Sequence, residues 1–159
     1  MGLRVGLGYD IHRIAAGRPL VLGGVRFESP WGLDGHSDAD VLAHAIGDAL
    51  LGAASLGDLG AHFPPDDPRW KDASSLDLLA RIRALLDERG ARIVNVDAAV
   101  VAEAPRLMPV RDRMCENLSR ALGLAPGDVS VKATTNEQLG AIGRGEGIAA
   151  WAVALVERP

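Results

Sequence analysis

Residues 3–12, Leu3-Arg4-Val5-Gly6-Leu7-Gly8-Tyr9-Asp10-Ile11-His12, set the frame for the rest of the chain. Residues 3–9 alternate as a strand does, and that strand should deliver Asp10 and His12 at its C-terminal end. Two residues apart on a strand, both side chains point to the same face. A carboxylate and an imidazole side by side make half of a divalent-metal site. His44, in Asp40-Val41-Leu42-Ala43-His44, is the third candidate ligand. Three protein ligands with a fourth position open is the pattern of a catalytic rather than a structural zinc site. On spacing alone, Asp-x-His also reads as the polar rim of a strand.

Bulk properties narrow the alternatives. A length of 159 residues suits one domain with a sizeable core, and 48% hydrophobic with 24% charged residues suits a soluble globular chain. The net charge of −4 gives no electrostatic case for nucleic acid or an anionic membrane, and 4% aromatic residues leave little for base stacking. The single cysteine excludes an internal disulfide and a cysteine-rich zinc site. Met1-Gly2-Leu3-Arg4-Val5 lacks the apolar run of a signal peptide, and no segment reaches the roughly 20 apolar residues of a membrane span. A cytoplasmic location is the expectation.

Downstream, Leu20–Phe27 reads as a β-hairpin with Gly23-Gly24 at its turn, an appendage to the core. Ser37 reads as the N-cap of a helix from about Asp38 to Ala54. Asp40, His44 and Asp48 follow at i, i+4 and i+8. They form either a solvated stripe or a ligand, His44, with Asp48 or Asp40 holding its second ring nitrogen. Residues 57–68 are too rich in Gly and Pro for helix or central strand, and read as a binding loop or a surface connector. A helix capped by Ser74 or Ser75 stops at Gly90, a strand covers Arg92–Ala102, and a third helix runs from about Pro109 to Leu122. Cys115 lies inside it as a core or near-core thiol. Strands at Val129–Thr134 and Ile148–Val156 flank a glycine-rich bridge. The sum is an α+β fold: a small mixed β-sheet with three helices on one face, plus the hairpin. Ile93, Val96, Ala98, Val100, Val101 and the run near 150–156 are too apolar to face water on either side. Burial against other subunits is therefore expected.

Five motifs occur in order: Gly8-Tyr9-Asp10-Ile11-His12; Gly35-His36-Ser37-Asp38-Ala39-Asp40; His62-Phe63-Pro64-Pro65; Lys132-Ala133-Thr134-Thr135 with Glu137; and Gly143-Arg144-Gly145-Glu146-Gly147. Together they resemble the 2-C-methyl-D-erythritol 2,4-cyclodiphosphate synthase family of the non-mevalonate isoprenoid pathway, over essentially the whole chain. The resemblance implies a homotrimer with active sites between adjacent subunits. It implies zinc on Asp10, His12 and His44, and magnesium or manganese on the substrate diphosphate near Glu137. His36 and Thr135 match the positions that stabilise the transition state. Asp10, His12, His36 and Ser37 match substrate contacts, as do Asp58 and Gly60 for the sugar portions. Phe63, Pro64, Pro65, Asp66 and Asp67 match a substrate loop. Ala102, Glu103, Ala104, Pro105, Arg106, Leu107 and Met108, with Thr134, Thr135 and Asn136, match the pocket for a cytidine diphosphate moiety. Arg144 matches a further contact near the threefold axis. Two positions depart from the family pattern: Ala141, where an aromatic residue is usual beside an axial channel, and Asp66, where a small hydroxyl residue is usual.

The implied reaction is cyclisation of 4-diphosphocytidyl-2-C-methyl-D-erythritol 2-phosphate with release of cytidine monophosphate. It needs no nucleophilic side chain, in keeping with the lack of a triad or an activated cysteine. Two rival readings use the same three ligands: a metal-dependent phosphoesterase acting through bound water, and a non-catalytic trimeric module with a structural metal.

Overall fold

A computed structural model describes residues 2–159. The first strand, β1 (Gly2–Ala16), is 15 residues long, so Asp10 and His12 stand in its middle and not at its end. Alternation along it is strict. Leu3, Val5, Leu7, Tyr9 and Ile11 project from one face, and Gly6 and Gly8 face the other. The two glycines have a structural reason. A Cβ at Gly6 would stand 1.8 Å from the Ala49 carbonyl oxygen, and one at Gly8 1.8 Å from that of Ala45. Only glycine lets helix α1 (Val41–Ala53) lie this close to the strand.

After β1 come β2 (Leu20–Leu22), β3 (Val25–Phe27) and β4 (Trp31–Leu33), a short strand that periodicity does not reveal. Strands β2 and β3 pair around Gly23 and Gly24, both at positive φ (56° and 70°), the geometry of a type I′ turn. The hairpin is no appendage: Leu20, Leu22 and Val25 are buried in the main core. The Gly23 and Gly24 amides donate to the two carboxylate oxygens of Asp40 at 3.0 and 2.8 Å.

Asp40 also sets the start of α1. It accepts the Ala43 amide at 3.1 Å as N-cap, so the helix begins three residues later than Ser37 suggests, and Ser37 caps nothing. Residues 57–68 are not wholly irregular, because a one-turn helix α2 (Leu59–His62) starts on Asp58, whose side chain accepts the Ala61 amide. Then follow α3 (Ser75–Glu88), β5 (Arg92–Val101), α4 (Arg111–Leu122), β6 (Val129–Thr134), a one-turn α5 (Gly140–Gly143) and β7 (Gly147–Arg158). Gly123 ends α4 in the left-handed conformation, φ 66°.

The main sheet has the order β4-β1-β7-β5-β6. Every neighbouring pair is antiparallel except β5 and β6, which run parallel on either side of α4. Helices α1, α3 and α4 cover one face, and Val96, Ala98, Val100, Ala150, Ala152 and Ala154 join that core. Most of the apolar strand residues expected to meet another subunit are thus spent within the chain. The open face is built instead from β1 and β7: Leu3 (62% exposed), Val5 (70%), Leu7 (69%), Tyr9, Ile11, Trp151 and Val153.

Candidate metal centre

The helix face of β1 carries Asp10 and His12 towards α1, whose second turn presents His44. Asp10 Oδ2 lies 2.8 Å from His12 Nε2 and 3.2 Å from His44 Nδ1, and the two nitrogens are 3.2 Å apart. Donors about 2.0–2.1 Å from a tetrahedral ion sit about 3.3 Å from one another, so these three atoms fit the corners of one. The donor set, two imidazoles and a carboxylate, suits a divalent ion.

Electrostatics agree with the geometry. Burial raises the Asp10 pKa, but hydrogen bonds and charge from His12 and His44 outweigh it and hold the carboxyl at about 2. For His12, burial lowers the pKa, and the Asp10 partner more than reverses it, leaving a net rise. The corner thus attracts positive charge, as protons or as a cation.

Surrounding groups fix the ligands. His12 Nδ1 donates to the Asp34 carbonyl at 2.6 Å, which aims Nε2 at Asp10. Gly35 passes so close that a Cβ there would be 3.1 Å from the His12 ring. Arg18 braces this loop, donating to the carbonyls of Leu33, Gly35 and Ser37 at 3.1, 2.9 and 3.2 Å. Neither Asp40 nor Asp48 holds His44. Asp40 is spent on the hairpin and the helix cap, and Asp48 accepts the Leu59 amide at 2.8 Å. His44 Nε2 instead meets Ser75 Oγ at 2.9 Å and Ser37 Oγ at 3.1 Å. No spacing rule pairs residue 44 with residue 75, so sequence reasoning missed Ser75.

A cavity of about 170 Å³ opens on this corner, lined by His12, His36, Ser37, His44, Phe63, Pro65 and Trp70 among others. His36 is held there by Nε2 donating to the Asp67 carbonyl at 3.0 Å, while the Asp67 carboxylate pairs with Arg69 at 2.6 Å. Trp70, which the sequence reading did not single out, packs edge-on to Phe63 with centroids 5.0 Å apart. Pro64 and Asp66 lie outside this lining, as do Asp58 and Gly60 at α2.

A second cavity, about 430 Å³, is lined by Ala102, Glu103, Pro105, Arg106, Leu107, Met108, Arg111, Thr134 and Thr135 among others. Ala104 faces a different recess with Trp31. Beyond Thr135, Glu137 and Gln138 both take positive φ (52° and 59°). Glu103 braces that turn: its Oε1 accepts the amides of Asn136 and Gln138 at 2.9 and 3.3 Å. Arg144 pairs with Glu146 at 2.7 Å. Asp10 is registered with Ala150, Ala150 with Val100, and Val100 with Ala133. The metal corner and the Thr134–Glu137 segment therefore share rows of the sheet but lie three strands apart, about 14 Å at 4.8 Å per strand.

A family model described as the YgbB family matches residues 3–157. The 2-C-methyl-D-erythritol 2,4-cyclodiphosphate synthase of Thermosynechococcus vestitus is 59% identical over 157 residues, which span 99% of this chain and 98% of that protein. Among solved structures, a bifunctional IspDF from Campylobacter jejuni matches with a TM-score of 0.95 at 40% identity, over 99% of this chain and 43% of that longer one. The structure of IspF from Plasmodium falciparum as a CDP complex matches with a TM-score of 0.86 at 34% identity, over 99% of this chain and 97% of that one. With a likeness that runs nearly from end to end, the chain belongs to the YgbB family.

Proposed function

We propose that this chain cyclises 4-diphosphocytidyl-2-C-methyl-D-erythritol 2-phosphate to 2-C-methyl-D-erythritol 2,4-cyclodiphosphate and releases cytidine monophosphate. The observation that carries the reading is the meeting of Asp10, His12 and His44 at one half-buried corner, in a chain 59% identical over its length to a protein of that name. Residues 1–159 act as one catalytic domain in the cytoplasm.

The 2-phosphate of the substrate attacks the β-phosphorus of the diphosphate. The bond from that phosphorus to the bridging oxygen breaks, and cytidine monophosphate leaves with that oxygen. A phosphate monoester has a second pKa of about 6, so the nucleophile is already ionised and needs no protein base. Asp10, His12 and His44 would hold zinc, and Glu137 would serve magnesium or manganese bound to the diphosphate. When bound, these ions screen repulsion between the two phosphates and polarise the electrophilic phosphorus. The protein's own task is positioning, worth about 7–11 kcal/mol in well-oriented intramolecular reactions. Ser37 and His36 bind the phosphate end in the smaller cavity. Asp58, Gly60 and the segment from Phe63 to Asp67 enclose the sugar. Ala102, Glu103 and residues 105–108, with Thr134 and Thr135, take the cytidine diphosphate portion, Thr135 and its neighbouring amides binding phosphate oxygens as charge shifts. Asn136 and Arg144 complete the contacts.

The working assembly is the homotrimer with shared sites that the family resemblance implies. On one chain the two cavities stand strands apart, and the open β1/β7 face is an apolar surface of a kind that marks a subunit contact.

Incubation with the linear substrate and a divalent metal, read by phosphorus NMR, tests the reaction. Cyclic diphosphate with cytidine monophosphate is the expected result. Linear hydrolysis products would overturn it in favour of a phosphoesterase using bound water.

A further inference from the structure

We infer that Asp38 and Ser75 are positioning residues that fix the protonation and orientation of His44 through a hydrogen-bond chain running Asp38–Ser75–His44. The inference rests on the metal reading of Asp10, His12 and His44 and adds to it the residues that keep one ligand ready.

The argument is one of donors and acceptors. Ser75 is 1% exposed and is the first residue of α3. Its hydroxyl donates to Asp38 Oδ1, and its amide donates to Asp38 Oδ2 at 3.0 Å. A serine hydroxyl has one hydrogen, and here the carboxylate takes it. Ser75 Oγ can therefore only accept from His44 Nε2, 2.9 Å away. That places the ring proton on Nε2 and leaves the Nδ1 lone pair facing Asp10 and His12, as a ligand requires. Ser37 Oγ, 3.1 Å from the same nitrogen, shares the proton, and its own hydrogen stays free for a phosphate oxygen in the cavity.

The chain is also well anchored. Ser74, at the N-cap of α3, makes no side-chain capping bond, and Asp38 takes that part from another loop by accepting the Ser75 amide. Asp38 is itself tied down: its amide donates to the Ala73 carbonyl at 3.0 Å, and Oδ1 accepts the Asp40 amide at 3.2 Å. Thus α3, remote in sequence, is the element against which His44 is aligned.

The test uses Ser75→Ala and Asp38→Asn in the full chain, with zinc as the only ligand. Chelator competition should show zinc affinity ten- to a hundred-fold weaker in Ser75→Ala. Nitrogen-15 chemical shifts of His44 in the metal-free protein should report an Nε2–H tautomer in the parent and a mixture in both variants. A purely structural role for Ser75 would leave that signature unmoved. Zinc affinity within two-fold of the parent, or an unchanged tautomer in both variants, would overturn the inference. A parent that takes up no zinc would sink the metal reading instead, while the tautomer of the metal-free protein would still decide the chain.

Discussion

The two ends of the candidate site are built in opposite ways. The metal corner is half-buried and braced from within: His12 leans on the Asp34 carbonyl, His44 on Ser75 and Ser37, and α1 packs against glycine-bearing strand. The end of β6 and the segment after it are exposed from Lys132 to Ala141 and hold two successive left-handed residues, Glu137 and Gln138, with Glu103 as their brace. A non-glycine residue at positive φ costs about 1–2 kcal/mol, and nothing but local bonding offsets it within one chain. The difference teaches that the first half is held by bonds from several elements, while the second rests on Glu103 and its own turn.

The largest effect expected from breaking this contrast is at the ligands. His44→Ala should lower zinc affinity by more than the hundred-fold ceiling for an outer partner and take turnover to background, with far-UV circular dichroism unchanged. Loss of the fold along with the metal would mark a structural ion. Next is a pH effect at Asp40. Complete burial, followed by the charge of Asp38, pushes its pKa up to about 6 against the pull of three amide donors. The folded protein keeps this proton up to about pH 6, whereas the unfolded chain releases it near 4. Stability from this group is thus full below pH 4 and falls by about 3 kcal/mol as pH rises to 6. Urea unfolding at several pH values should show that slope in the parent and its absence in Asp40→Asn. The smallest effect is at the open end. Glu103→Ala should lower kcat/KM about five-fold, near 1 kcal/mol, and speed amide exchange at Asn136 and Gln138, with zinc affinity unchanged. Equal loss of zinc would mean that the two ends are not independent.

Much of this arrangement could be read from the chain. The 2-residue alternation through Asp10 and His12, the apolar period of residues 41–53 and the Gly23-Gly24 turn are local signals, and each marks a real element. The errors occur where a polar side chain serves a distant partner. Ser37 has the look of a cap, but its hydroxyl meets His44, and Asp40 caps because the hairpin amides hold it there. Asp48 sits one turn from His44 yet is taken by α2. Strand β4 is three residues long, too short to show a period. The motifs themselves pointed to the metal corner through their resemblance to a family. The hydrogen bonds that align it cross from residue 38 to 75 and from 75 to 44, which no local pattern encodes.

Strand β1 is a partition wall with tenants on both sides. Its even-numbered residues furnish the ion corner and admit the helix, and its odd-numbered ones form the greasy outer panel. Side-chain replacements can therefore be judged one tenant at a time. Losing a single position between Val5 and Gly8 could not, because it would turn every later side chain in the wall around, sending a carboxylate and an imidazole out to the panel and a tyrosine in against the helix. Over long times, such a segment is free to change the letters of its outer panel, but neither its glycines and ligands nor its length.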